Sequence, residues 1–260
     1  MFQSGTVATN RFSKLSDAID VVIEKSNMHE TKNKLPSTEL LNKVLEELKL
    51  EKMRTDIFQD SMKETHPWVG KLHGLIFAML RTQHLPENYI NICYEMSNVA
   101  YGVAGEQFLL EDTKLLPLFA ALLSTQLRVL LHNPEKIDEK KLAICISLID
   151  ALITFGEDEE DKTSSLVNDE IATKMGRQLR EALFFAIEFL LTSIDEIEFE
   201  VKSMLYRLIC YYISLGGAET FDRSTMVYLK RCLESIKKTK GATGSMRIMF
   251  QDIEGLLPNS

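Results

Sequence analysis

From residue 11 to residue 257 the chain repeats one pattern: apolar residues at helical spacing, a short break, then apolar residues at helical spacing again. Residues 37–50, STELLNKVLEELKL, show it plainly, with Ser37 as N-cap and Leu41, Val44, Leu45 and Leu48 on one face. Residues 11–26 place Phe12, Leu15, Ile19, Val22 and Ile23 on one side of a first helix. A further helical segment is read over 54–63. After the break at His66-Pro67 the pattern predicts a helix over 68–83, and after Leu85-Pro86 another over 87–101. Gly102 and Gly105 mark the next turn. Two long apolar helices, 112–132 and 138–155, meet through Asn133-Pro134, a connection short enough to make them antiparallel neighbours. Residues 169–191 and 198–214 give two more, the second closed by Gly216-Gly217. The last hairpin, 221–257, carries Met226, Leu229, Leu233 and Ile236, breaks at GATGS, and resumes with Met246, Met249, Phe250 and Ile253.

Roughly ten helices, no strand pattern, and a helix-plus-connector length of about 25 residues predict an all-α fold. Helices of this length with short connectors point to a HEAT/armadillo-like stack of about five antiparallel helical hairpins, with a globular bundle as the alternative. The 12 glycines and 6 prolines are too few for the many tight turns of an all-β chain. Residues 1–10 read as a flexible or expression-derived N-terminus and 11–257 as a single helical-repeat domain. Its one shift of composition is GEDEEDKTSS, which predicts an acidic loop at 156–168.

A net charge of −8 argues against a protein that coats nucleic acid over its whole surface. Residues 221–260 hold seven basic and four acidic side chains, a local +3 that leaves −11 on the rest. Lys230, Arg231, Lys237, Lys238, Lys240 and Arg247 form the candidate site, a footprint for RNA or an acidic partner; an ordinary solvated helix face is the plainer reading. Cys93, Cys145, Cys210 and Cys232 lie far apart among apolar neighbours, as small core hydrophobes of a reducing compartment do. The most apolar stretch, 115–131, contains Gln126 and Arg128 and is a poor membrane span. A cytoplasmic protein is expected, with no membrane and no DNA partner.

No catalytic constellation is legible. His29, His66, His73, His84 and His132 make no metal-ligand spacing with one another or with a cysteine, and HExxH, CxxC, GxSxG and P-loop motifs are missing. GVAG at 102–105 has the form of a KH-type GXXG but lacks flanking strands, so it reads as a helix–helix turn. Glu46/Glu47 and Asp195/Glu196 sit where carboxylates solubilise a helix or complement its dipole. The lone Trp68 reads as a core anchor, with an exposed interface anchor as the alternative. No catalytic residue, metal or cofactor is predicted, and the chain is expected not to be an enzyme.

The last hairpin runs Ile236-Lys237-Lys238, then GATGS, then Arg247, Met249, Phe250, Gln251, Asp252, Ile253 and Leu256. It resembles the end of the middle domain of the translation initiation factor 4G family, where a lysine-rich helix end and a Ser-containing turn precede an Arg-x-hydrophobic-Met-hydrophobic-Gln-Asp helix. The resemblance implies a HEAT-like, non-catalytic adaptor in translation or mRNA regulation. It implies the translation initiation machinery or a DEAD-box helicase as partner, with RNA as a further one. The competing expectation is a general armadillo-like protein-interaction scaffold unrelated to RNA.

Overall fold

The computed structural model describes residues 13–26, 35–58, 66–160, 167–193, 195–214 and 221–238. They form ten α-helices: α1 Ser13–Ser26, α2 Thr38–Phe58, α3 Val69–Leu80, α4 Glu87–Ala104, α5 Glu106–Leu110, α6 Leu116–Leu130, α7 Glu139–Glu160, α8 Asp169–Ser193, α9 Phe199–Ser214 and α10 Arg223–Lys238. Among the described residues there is no strand, and the fold is all-α as the apolar periodicity requires. The chain divides into two compact units, residues 1–113 and 114–260.

Within each unit most helices neighbouring in sequence pack together, as α1 with α2, α3 with α4, α6 with α7 and α8 with α9 do, and so do alternate helices such as α2 with α4, α6 with α8 and α7 with α9. In the first unit α2 and α4 touch at steps that rise together along both. Tyr89 Oη donates to the Pro36 carbonyl at 2.9 Å, Lys49 pairs with Glu95 at 3.2 Å, and the Lys52 side chain lies against Gly102. The two therefore run parallel. In the second unit α7 and α9 do the same through Asp150–Arg207 at 3.2 Å and Thr154–Tyr211 at 2.6 Å. By contrast, Tyr206 Oη donates to the Leu229 carbonyl at 3.0 Å while the Tyr212 and Phe221 rings meet at 5.9 Å, so α9 and α10 run antiparallel. Antiparallel neighbours with parallel alternates follow the packing rule of HEAT/armadillo-like repeats.

The cores are the predicted stripes. Leu41, Val44, Leu45 and Leu48 of α2 are buried, as are Phe119, Leu123 and Leu127 of α6 and Leu183, Ile187 and Leu190 of α8. Ser37 caps α2 through its Oγ and the Leu40 N–H at 3.4 Å, as expected. Asn168 and Asp222 cap α8 and α10 by accepting from Ile171 and Thr225. Trp68 is fully buried, which settles it as a core anchor. Gln107 of α5 fixes the segment that carries it, accepting from the His66 N–H at 3.1 Å and donating to the His66 carbonyl at 3.5 Å. Cys93, Cys145 and Cys210 are free and buried, and burial pushes each thiol up to about 12. The Cys232 side chain lies outside the described residues.

Several boundaries differ from those read in the sequence. The helical segment expected from residue 54 is the second half of α2, because Glu51 and Thr55 continue its buried face after Leu48. Glu51 holds Arg54 at 3.1 Å, and the Thr55 hydroxyl donates to the Glu51 carbonyl at 3.0 Å. Residues 59–63 lie outside the description. Helix α4 runs through Gly102, and only Gly105, with φ +57°, ends it. The helix expected from residue 112 begins at Leu116, after α5 and a 3₁₀ turn at Thr113–Leu115. Helix α7 continues to Glu160, so the acidic block starts on a helix; 161–166 are not described.

Gly105 and Gly74 separate backbone conformation from space. A Cβ meets nothing within 4 Å at either, but Gly105 lies at positive φ and Gly74 lies inside α3. Gly105→Ala is expected to lower stability by about 1–3 kcal/mol, and Gly74→Ala to raise it by about 0.5–1 kcal/mol. Urea unfolding of the two variants checks the opposite signs.

His73 of α3 is buried against Phe77 and Phe108, with ring centroids at 4.4 and 5.5 Å. Burial pulls it down to about 4, Arg81 adds to the effect, and Asp112 opposes it. The folded chain therefore binds fewer protons here than the unfolded chain between about 6.5 and about 4. The stability it contributes is present above that window and lost as pH falls through it. Thermal melts from pH 7.5 to 4.5 should show wild type losing ground against His73→Phe; a constant difference would refute the assignment.

Candidate partner-binding surface

The basic cluster expected at the end of the chain is only partly placed. Arg231 is exposed and Lys230 half-buried on α10, whose Met226 and Leu229 are buried in the second unit. Phe221, ahead of α10, packs edge-on against Phe184 at 5.3 Å, and Tyr228 Oη donates to the Leu191 carbonyl at 3.3 Å. Lys237 and Lys238 end the helix, and their side chains lie outside the described residues, as do Lys240, Arg247 and the whole second half of the expected hairpin. The structure brings Lys230 and Arg231 onto one helix and places none of the other four side chains.

A different surface stands out on α2. Its buried face is Leu41, Val44, Leu45, Leu48, Glu51 and Thr55. The opposite face begins as ion pairs, Glu39–Lys43 at 3.2 Å and Glu46–Lys49 at 3.1 Å. One turn further it becomes apolar: Leu50 is 45% exposed, Met53 60% and Ile57 70%. These positions are spaced i, i+3 and i+7, so they share one helical face over two turns. Single exposed apolar side chains are ordinary, whereas several aligned on one face mark a contact surface.

Among the described residues the other large exposed apolar side chains form no run of three on one helical face. Val21 stands alone on α1, Leu118 and Val129 stand at the two ends of α6, and Phe184 and Leu191 share a face of α8 two turns apart, with Phe184 engaged by Phe221. The stripe on α2 was missed in the sequence because a helix ending at residue 50 and another starting at 54 divide Leu50 from Met53 and Ile57. The usable signal was apolar spacing on a second face of one long helix, opposite Leu41 and Leu48.

The chemistry of the described residues points to packing. The three buried thiols are held far from the thiolate, and His73 is kept neutral in an aromatic pocket. Among the described residues no group of three or more His, Cys, Asp or Glu side chains could hold a metal ion. Nor is any described helix long and apolar enough to cross a membrane.

The family model that matches is neurochondrin, over residues 2–249. No curated protein and no solved structure matches the chain. The match corrects the resemblance to the initiation factor 4G middle domain, which rested on the last hairpin alone. An Arg followed by a short apolar run, a Gln-Asp pair and a further apolar residue is what many amphipathic helices carry for packing reasons, so the pattern did not discriminate between families. With it go the grounds for a translation role, mRNA binding and a DEAD-box helicase partner.

Proposed function

Because this chain belongs to the neurochondrin family, we propose that it is a non-catalytic, helical-repeat scaffold that binds other proteins, with the apolar stripe of α2 as a docking surface. A repeat fold favours this reading, since paired helices present long ridged faces to partners. The reduced, buried cysteines make a cytoplasmic setting part of the same reading.

The observation that carries it is the run Leu50, Met53, Ile57, exposed on successive turns of a helix that is otherwise well packed. Its spacing complements the apolar face of an amphipathic partner helix, which reads anchors at i, i+3 or i+4, and i+7. The ion pairs of Glu39–Lys43 and Glu46–Lys49 form a polar margin at one end. Burying what remains exposed of these three side chains supplies about 3–5 kcal/mol, comparable to the lower end of the entropic cost of association. The stripe therefore acts as the anchor of a wider contact.

The test is a double variant, Met53→Asp with Ile57→Asp, compared with wild type and with Lys230→Glu/Arg231→Glu. Both α2 positions are exposed, so unfolding should stay within about 0.5 kcal/mol of wild type. A photocrosslinker at position 50 should trap a partner peptide of amphipathic helical pattern, and the α2 variant should reduce that product at least tenfold. Undiminished crosslinking in the α2 variant, with loss in the α10 variant, would move the site to the basic helix. Failure of wild type to crosslink any protein above background would remove the scaffold reading itself.

A further inference from the structure

Where α7 and α9 meet in the second unit, a polar ladder interrupts the apolar packing. Asp150 and Thr154 of α7 face Arg207 and Tyr211 of α9, so the rungs lie on successive turns of two parallel helices. Arg207 Nη2 donates to Asp150 Oδ2 at 3.2 Å, and the Thr154 and Tyr211 hydroxyls share a hydrogen bond of 2.6 Å. Thr154 also donates to the Asp150 carbonyl at 2.9 Å. The Asp150 side chain is only 23% exposed, and its Oδ1 is buried with no hydrogen-bond donor among the described residues. One turn before Arg207 on the same helix, Ser203 Oγ is buried and equally unpartnered.

An ionised carboxylate with one oxygen sealed from water and undonated is strongly disfavoured. The single charge opposing that cost sits on Arg207, whose side chain is 53% exposed and whose attraction water screens. The other elements packed on α7 offer no further compensation. Helix α6 carries one charged side chain, Arg128, and it lies over the Phe185 ring of α8 at 5.5 Å. On α8, Lys174 is paired with Glu170 at 2.6 Å, and Arg177 and Arg180 are exposed. On α7 itself Glu139, Lys140 and Lys141 lie in the first turn, more than two turns from Asp150.

We propose that this seam is a proton-operated joint between successive helical repeats, tight when Asp150 carries a proton and looser when it is ionised. Burial, outweighing the charge and hydrogen bond of Arg207, pushes Asp150 from 3.8 up to about 6. The folded chain then binds more protons than the unfolded chain between about 4 and about 6. The stabilisation is complete below the unfolded value and is lost as pH rises through about 6, opposite in direction to that of His73 in the first unit.

The test uses the full chain with aspartate labelled at the carboxyl carbon. The Asp150 resonance should titrate with a midpoint near 6, and Arg207→Met should move the midpoint further up by removing the compensating charge. Hydrogen exchange of the α7 and α9 amides, compared between wild type and Asp150→Asn, reads the joint. At pH 7.5 the variant should exchange at least fivefold more slowly, and at pH 5.0 the two should converge. A midpoint at 4 or below in wild type, or equal exchange at both pH values, overturns the proposal.

Discussion

The structure depends on the contact between alternate helices, α2 with α4 in the first unit and α6 with α8 or α7 with α9 in the second. A helix pair can hide only the stripe facing its partner. In a repeat fold each helix must hide a second stripe against the equivalent helix of the next repeat, so the hydrophobic effect acts on two faces of one helix. Leu142, Cys145, Ile146, Leu148, Ile149 and Leu152 of α7 are buried over a broad arc of the helix rather than along one line. Each repeat therefore needs its neighbours, and the stability of a unit lies in these contacts more than in the propensity of any one helix.

Polar residues are informative where they interrupt that arrangement. In α2 the buried face passes from Leu48 to Glu51 and Thr55; Arg54 pairs with Glu51 Oε2 and the Thr55 hydroxyl donates to the Glu51 backbone carbonyl, without breaking the helix. In α7 the interruption is Asp150, whose partner lies across a repeat boundary on α9. In the first case the Arg54 and Thr55 contacts stay within one helix. The second couples two, and a change of charge there alters how successive repeats hold together.

The fold was legible in the sequence because the apolar period persists across the whole chain and the breaks fall at Ser37, Pro86, Pro134 and Asn168. The finer boundaries were less so. Glu51 and Thr55 look like solvent-facing residues until tertiary packing buries them, and Gly102 resembles a terminator although only Gly105 adopts the positive φ that ends α4. The candidate site fared worse for a related reason. Charge is easy to count along a chain, so the basic residues near the C-terminus drew the reading, while the stripe of Leu50, Met53 and Ile57 has the composition of a core and declares itself only through exposure. The family resemblance failed on the same ground: a short amphipathic pattern encodes a packing requirement that unrelated helical stacks share.

Two physical classes of surface thus coexist on α2 within a few turns. The Glu39–Lys43 and Glu46–Lys49 pairs keep the outer face soluble at little gain in stability, since exposed pairs of this kind contribute about 0.3–0.5 kcal/mol each. Leu50, Met53 and Ile57 lie outside the buried face of α2, and polar residues there would leave that face intact. Folding of the isolated unit therefore does not require them to be apolar. An apolar requirement at these positions would have to come from outside the unit's own core, and the docking of a partner helix proposed above is a contact that would impose one.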